Sequence, residues 1–265
     1  MLRFLLALPV ALLLTSHAHA HYNILLPDAA AAKKGDKVTF TYQWGHPFEH
    51  EMFDAPPPAR VFVMTPDGKK SELAKSLEKF KKPAADKKHV QAFRFTFVPE
   101  QRGDHTFFLH TPPIFLEDSK EFVQDIVRVA LHVGSQKAWD ADPGRQFKII
   151  PVTRPYGLYP GMVFQARALL DQSPGEVTET APPHKNALVE FERYNPAPPK
   201  EVPGDELITF RTRTDQNGLV TVAFPDPGWW SLTTQRDAGT RELDGTKYPL
   251  RQRVTLWLHV DPKKE

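Results

Sequence analysis

The chain has 265 residues, with 34 lysines and arginines against 32 aspartates and glutamates, a formal net charge of +2. So even a balance gives no electrostatic footing for nucleic acid, and the absence of cysteine excludes disulfides, a lipoprotein anchor and every thiolate metal site. Twenty-six prolines against 14 glycines, with many β-branched and aromatic residues, indicate an all-β protein with stiff loops.

Residues 1–20 read as a secretory signal. Arg3 supplies the positive charge, and Phe4 to Leu14 is an apolar stretch too short for a membrane span. Ala18-His19-Ala20 fits the small-x-small cleavage rule and leaves His21 first. Ser16-His17-Ala18 is a second option, which leaves His19 first. Export without disulfides fits a bacterial periplasm. No later segment reaches about eighteen apolar residues, so the mature protein is expected to be soluble.

Period-2 runs then mark strands in chain order. "DKVTFTYQW" puts Val38, Phe40, Tyr42 and Trp44 on one face, and "ARVFVMTPDG" ends in a Pro-Asp-Gly turn. "KKSELAKSLEKF" is the one good helix candidate, with a charged excursion between strands as the alternative. "QAFRFTFVP" aligns Phe93, Phe95 and Phe97, followed by "GDHTFFLH" and "EFVQDIVRVALHV". "PVTRPYGLYPG" reads as a structured linker. "MVFQARALLD", "ALVEFERYN", "ELITFRTRTDQNGLVTVAFPDPGWWSLTTQ" and "QRVTLWLHV" follow it. Asn217-Gly218 offers the positive φ of a tight hairpin, after which Val220, Val222 and Phe224 share a face. Short strands and frequent turns predict two Ig-like β-sandwiches: 21–150 as the candidate metal-binding domain and 151–265 as the second. The second resembles the small sandwich of carboxypeptidase regulatory-like domains.

The chemistry concentrates in histidines. "QWGHPFEHEMFD" carries His46, Glu49, His50, Glu51 and Asp54 just past a strand end. An N-terminal His21 offers two nitrogens, its imidazole and an α-amine with a reference pKa of about 7.7–8.0. With one further imidazole this makes the nitrogen-rich set that suits Cu(II) or Ni(II). Cleavage after Ala18 would instead make His19-Ala20-His21 an amino-terminal metal-binding tripeptide. A solvated turn is the plain alternative for the "GHPFEHE" cluster. His105 and His110 lie five apart on one strand with opposite facings, so either could reach a site, and His110 stands just before Thr111-Pro112-Pro113. The chain lacks G-x-S-x-G, H-E-x-x-H, a Gly-rich phosphate loop and a cysteine nucleophile, so it reads as a non-enzyme.

"AHYNILLPD", "GDKVTFTYQWGHPFEHEMFD", "PVTRPYGLYPGMVFQARALLD" and "DPGWWSL" together resemble the periplasmic nickel-uptake-transporter family, long catalogued as a domain of unknown function. The resemblance implies a β-rich fold and an accessory role beside cobalt/nickel transporters of the energy-coupling-factor type. It implies His21 and His46 as matching positions. It also implies a histidine in the strand "EFVQDIVRV", where Asp125 stands in this chain. The expected function is capture of Ni(II) or Co(II), or Cu(II), by His21 and His46 with His50 or His110, for an inner-membrane importer. A metal-free envelope module that binds carbohydrate or protein is the alternative. A polysaccharide-oxidising copper enzyme with an N-terminal histidine is a third.

Overall fold

The computed structural model describes residues 21–84, 88–144, 146–170 and 181–263. The signal segment and both cleavage points lie outside the described residues.

The described chain is all-β. Its first strands are β1 (Tyr22–Pro27), β2 (Val38–His46), β3 (Glu51–Phe53), β4 (Arg60–Met64), β5 (Lys70–Glu72), β6 (Glu78–Pro83), β7 (His89–Phe97), β8 (Gly103–His110), β9 (Ile114–Leu116) and β10 (Glu121–Val133). Then come β11 (Phe147–Pro151), β12 (Val163–Leu170), β13 (Leu188–Tyr194), β14 (Thr209–Arg213), β15 (Leu219–Ala223), β16 (Gly228–Leu243) and β17 (Thr246–Val260).

They form three sheets. A five-stranded sheet runs β1-β2-β7-β6 with β3 on β2. A three-stranded sheet runs β11-β12-β15. Between them a nine-stranded sheet runs β14-β13-β16-β17-β10-β8-β4-β5, with β9 on β10. This central sheet joins both halves of the chain, because β10 pairs with β17 in parallel from Phe122↔Leu250 to Val129↔Trp257.

Strand alternation shows how the layers stack. Val127, Val129, Leu131 and Trp257 point into one core, shared with Phe40, Tyr42, Phe95 and Phe107. Val254, Leu256, Leu258 and Val260 point into the other, shared with Phe164, Val222, Phe224 and Trp230. Val127 pairs with Thr255, and Ile126 with Val254. The five-stranded and three-stranded sheets therefore pack on opposite faces of the central one. The five-stranded sheet covers the β10-β8-β4 end and reaches β17 and β13 through Asn23 and Gln43, which bond Trp257 and Tyr194. Beyond these contacts Glu190, Arg211, Thr233 and Gln235 of the same face form an open shelf.

Two local expectations are corrected. Residues 69–80 form β5, a 3-10 turn over Ala74–Ser76 and β6 rather than a helix. Only Leu73 and Leu77 reach the first core from this stretch, too narrow a stripe to anchor a helix. Pairing of β5 with β4 and of β6 with β7 overrides helix propensity. The Asn217-Gly218 turn is tight, with Asp215 Oδ1 accepting from the N–H groups of Asn217 (2.7 Å) and Leu219 (2.8 Å). It makes no hairpin, since β14 pairs with β13 while β15 pairs with β12 in a different sheet. Gly218 is needed there because a Cβ would stand 2.4 Å from the Ala168 carbonyl oxygen, with φ at +71°.

Candidate functional site

The site forms where the five-stranded sheet stops short of the shelf. A cavity of about 700 Å³ opens there. One wall is His21, Trp44, His46, Glu51 and Phe53, from the leading edge of that sheet. The floor and far wall carry Glu190, Arg211, Thr233, Gln235 and Arg253 from β13, β14, β16 and β17. The β9–β10 hairpin, residues 115–121, borders it.

His21 lies immediately before β1, whose register sets Tyr22 opposite Gly45. Its ring is 4.7 Å from that of His46, 5.2 Å from Trp44 in a stacked arrangement and 5.1 Å from Phe53. Burial, then the adjacent His46 and Arg253, lower the His21 imidazole to a pKa of about 4, so it is a neutral donor at pH 7. His46 ends β2, and β3 folds straight back so that His46 pairs with Glu51. Gly45 permits this return, because a Cβ there would meet the Glu51 carbonyl oxygen at 2.1 Å. His46 Nδ1 is 3.1 Å from Glu51 Oε2. A carboxylate on Nδ1–H fixes the tautomer and makes Nε2 the lone-pair nitrogen, the usual arrangement behind a metal-bound histidine.

The backbone of residue 21 is held from beneath. Arg253 donates from Nη2 to the His21 carbonyl (2.6 Å) and to Asp125 Oδ2 (2.7 Å), and from Nε to Asp125 Oδ1 (2.6 Å). Asn23 Nδ2 also donates to Asp125, and the Tyr42 hydroxyl donates to Asn23 Oδ1 at 2.6 Å. Asp125 and Asn23 are both 2% exposed. Asp125 is thus engaged by Arg253 and Asn23 and is absent from the cavity lining.

Of the four histidines singled out by the sequence, the structure brings His21 and His46 together and sets the other two elsewhere. His50 turns away with φ of 55°. Its Nδ1 is 2.7 Å from the Asn195 carbonyl, and its ring packs on Tyr194. It fastens the 47–50 turn to the end of β13, together with Asn195 N–H to the Pro47 carbonyl (3.0 Å) and Asn195 Nδ2 to the Phe48 carbonyl (2.6 Å). His110 packs edge-on to Phe62 at 5.7 Å. It shares the face of Phe108, the side of the central sheet away from the cavity. Among the described residues no group of three or more His, Cys, Asp or Glu side chains stands in metal-binding array. Among the described residues His21 and His46 are the two imidazoles on the cavity wall.

The sequence reading missed Arg253. Its signal was present: Arg253 stands in "RQRVTLWLHV" and Asp125 in "EFVQDIVRV", opposite charges placed inside two otherwise largely apolar strands. The aromatic pair Trp44 and Phe53 and the acidic hairpin 117–121 become part of the site only through the fold.

Residues 18–237 match the family described as Domain of unknown function (DUF4198). No curated protein matches the chain. Among solved structures, similarity is found to trypsin-activated α-2-macroglobulin from Escherichia coli (12% identity, TM-score 0.24, 90% of this chain and 16% of that one). It is also found to latent PorU from Porphyromonas gingivalis (10%, TM-score 0.25, 91% and 20%). A third is the adhesin InvE from Yersinia pseudotuberculosis (11%, TM-score 0.20, 88% and 58%). The chain spans only about a sixth of the first of these.

Proposed function

We propose that this chain, a member of the DUF4198 family, is a periplasmic metal-binding protein that captures Ni(II) or Co(II), or Cu(II), and delivers it to an inner-membrane importer. The observation that carries the reading is the pair of imidazoles, His21 and His46, 4.7 Å apart at the wall of an open cavity. The metal is cargo. His21 would hold it through its imidazole and the α-amine freed by cleavage after Ala20, and His46 through Nε2. Three nitrogens with no thiolate favour late first-row divalent ions over Mg(II) or Ca(II). Glu51 orients His46, and Arg253 fixes the backbone from which both His21 donors spring.

The family resemblance in the sequence points the same way, through "GHPFE" and the His21 start. The periplasmic location rests on the signal-like residues 1–20. Among the described residues no helix is long and apolar enough to cross a membrane. His50 and His110 are left out of the ligand set, because neither lines the cavity.

Calorimetric titration of the purified exported protein with NiCl₂, CoCl₂ and CuCl₂ tests the proposal. One tight site per chain, abolished in His21→Ala and in His46→Ala, is expected. Equal binding by wild type and both variants would overturn it, as would no binding at all.

A further inference from the structure

The cavity is larger than a bare ion needs. An ion with six inner waters takes about 180 Å³, at about 30 Å³ per water. The cavity encloses about 700 Å³, within the range of sites that hold organic ligands. Its walls also differ in character. The imidazoles lie on the edge of the five-stranded sheet. The shelf offers the hydroxyl of Thr233, the amide of Gln235 and the Arg211 guanidinium, which bonds Glu190 at 2.9 Å.

Charge narrows the class of ligand. On the lining, Arg211 is matched by Glu190 and Arg253 by Asp125. Glu117 is matched by Lys120, and Glu121 by Arg251. Glu51 and Asp118 have no lysine or arginine partner in an ion pair among the described residues, and both border the cavity. The remaining charge is therefore negative, which attracts a cationic complex and repels a polycarboxylate one.

Coordination narrows it again. Two imidazoles and one amine supply three nitrogens, half the positions of an octahedral ion. A ligand that occupies the other half is tridentate.

Resting on the metal-capture reading above, we infer that the cargo enters as a small cationic chelate: a divalent metal carrying one tridentate ligand of the amino-acid class. The organic part occupies the shelf beside Arg211, Thr233 and Gln235, and His21 and His46 complete the coordination. Binding exchanges three metal-bound waters for the three protein nitrogens and releases the proton of the α-amine. No bond to the organic ligand is made or broken, and no electron moves.

Calorimetry and gel filtration of the mature protein decide this, using Ni(II) alone, Ni(II) with one or two equivalents of radiolabelled L-histidine, and Ni(II) in excess citrate as probes. The one-equivalent complex is expected to bind at least tenfold tighter than Ni(II) alone and to carry the label through the column. The two-equivalent complex, with no open positions, and the citrate complex should bind at least tenfold more weakly than the one-equivalent complex. In Arg211→Ala the gain from one equivalent of L-histidine should shrink at least fivefold. Binding of Ni(II) alone that L-histidine only weakens, with no label retained, would overturn the inference and leave metal capture standing. Binding of none of the probes would overturn metal capture itself.

Discussion

Two histidine–carboxylate pairs in this protein share the same chemistry in opposite settings. His132 Nδ1 meets Asp104 Oδ1 at 2.7 Å, and His46 Nδ1 meets Glu51 Oε2 at 3.1 Å. Asp104 is 1% exposed, and its other oxygen accepts from the Lys137 N–H (3.0 Å) and the Tyr156 hydroxyl (2.9 Å). Tyr156 also stacks on His132 at 4.2 Å. Asp104 is thus fully engaged, and the pair pins the Pro-rich segment after β11 to β8 and β10 while the His132 side chain keeps 21% exposure. The side chain of Glu51 is 58% exposed, and His46 faces a second imidazole across a cavity. A histidine beside a carboxylate is thus closed into the fold or left facing an open cavity according to what surrounds it, which the two residue types alone do not reveal.

The sharpest way to break the comparison is stability. Asp104→Ala removes a buried acceptor from three donors and should cost about 3–5 kcal/mol in urea denaturation. Glu51→Ala removes an exposed partner and should cost under about 0.5 kcal/mol. Equal costs would erase the distinction. Metal affinity runs the other way. His21→Ala should weaken Ni(II) binding at least about 100-fold, or about 2.7 kcal/mol, while His132→Ala leaves it within twofold.

A third prediction concerns the strap between the site and β13. Glu192 is 3% exposed and accepts from the Phe48 N–H at 3.2 Å and the Thr209 hydroxyl at 2.9 Å. Burial, with Glu49 and Glu190 nearby, pushes its pKa up to about 8. The folded protein therefore holds a proton there that the unfolded chain releases above the ordinary carboxylate range. Its contribution to stability is full below about pH 4.5 and is lost as pH rises through about 8. Glu192→Gln should match wild type at pH 5 and exceed it by about 2 kcal/mol at pH 9 in parallel denaturation curves. A smaller loss of affinity than in His21→Ala is expected from Glu51→Gln, which keeps the shape of the pair and weakens the anion. Ni(II) affinity should fall about tenfold.

Much of the fold was legible in period-2 patterning. Val38, Phe40 and Tyr42 alternate into the core as their spacing predicts, and so do Val220, Val222 and Phe224. Trp230 lies in the second core while Trp229 packs against the first and against His259, so the "PGWWSL" pair splits between the two faces of the central sheet. The join between halves was illegible, because the parallel pairing of β10 with β17 links residues more than a hundred positions apart. The site was half legible. Its adjacent-strand members, His21 and His46, could be proposed from sequence because β1 and β2 form a local pair. The shelf residues Glu190, Arg211 and Arg253 reach the cavity only through long-range sheet order. His50 misleads for a local reason, since its left-handed backbone turns the ring toward Asn195 rather than toward His46.

The central claim is that His21 acts as an amino-terminal ligand beside His46. The direct test titrates Ni(II) and Cu(II) into two forms of the protein, one beginning at His21 and one with Gly-Ser placed ahead of it. The account predicts one tight site in the first form and at least a 100-fold loss in the second, with unchanged thermal unfolding of the metal-free proteins. The same affinity in both forms, or none in either, would contradict it.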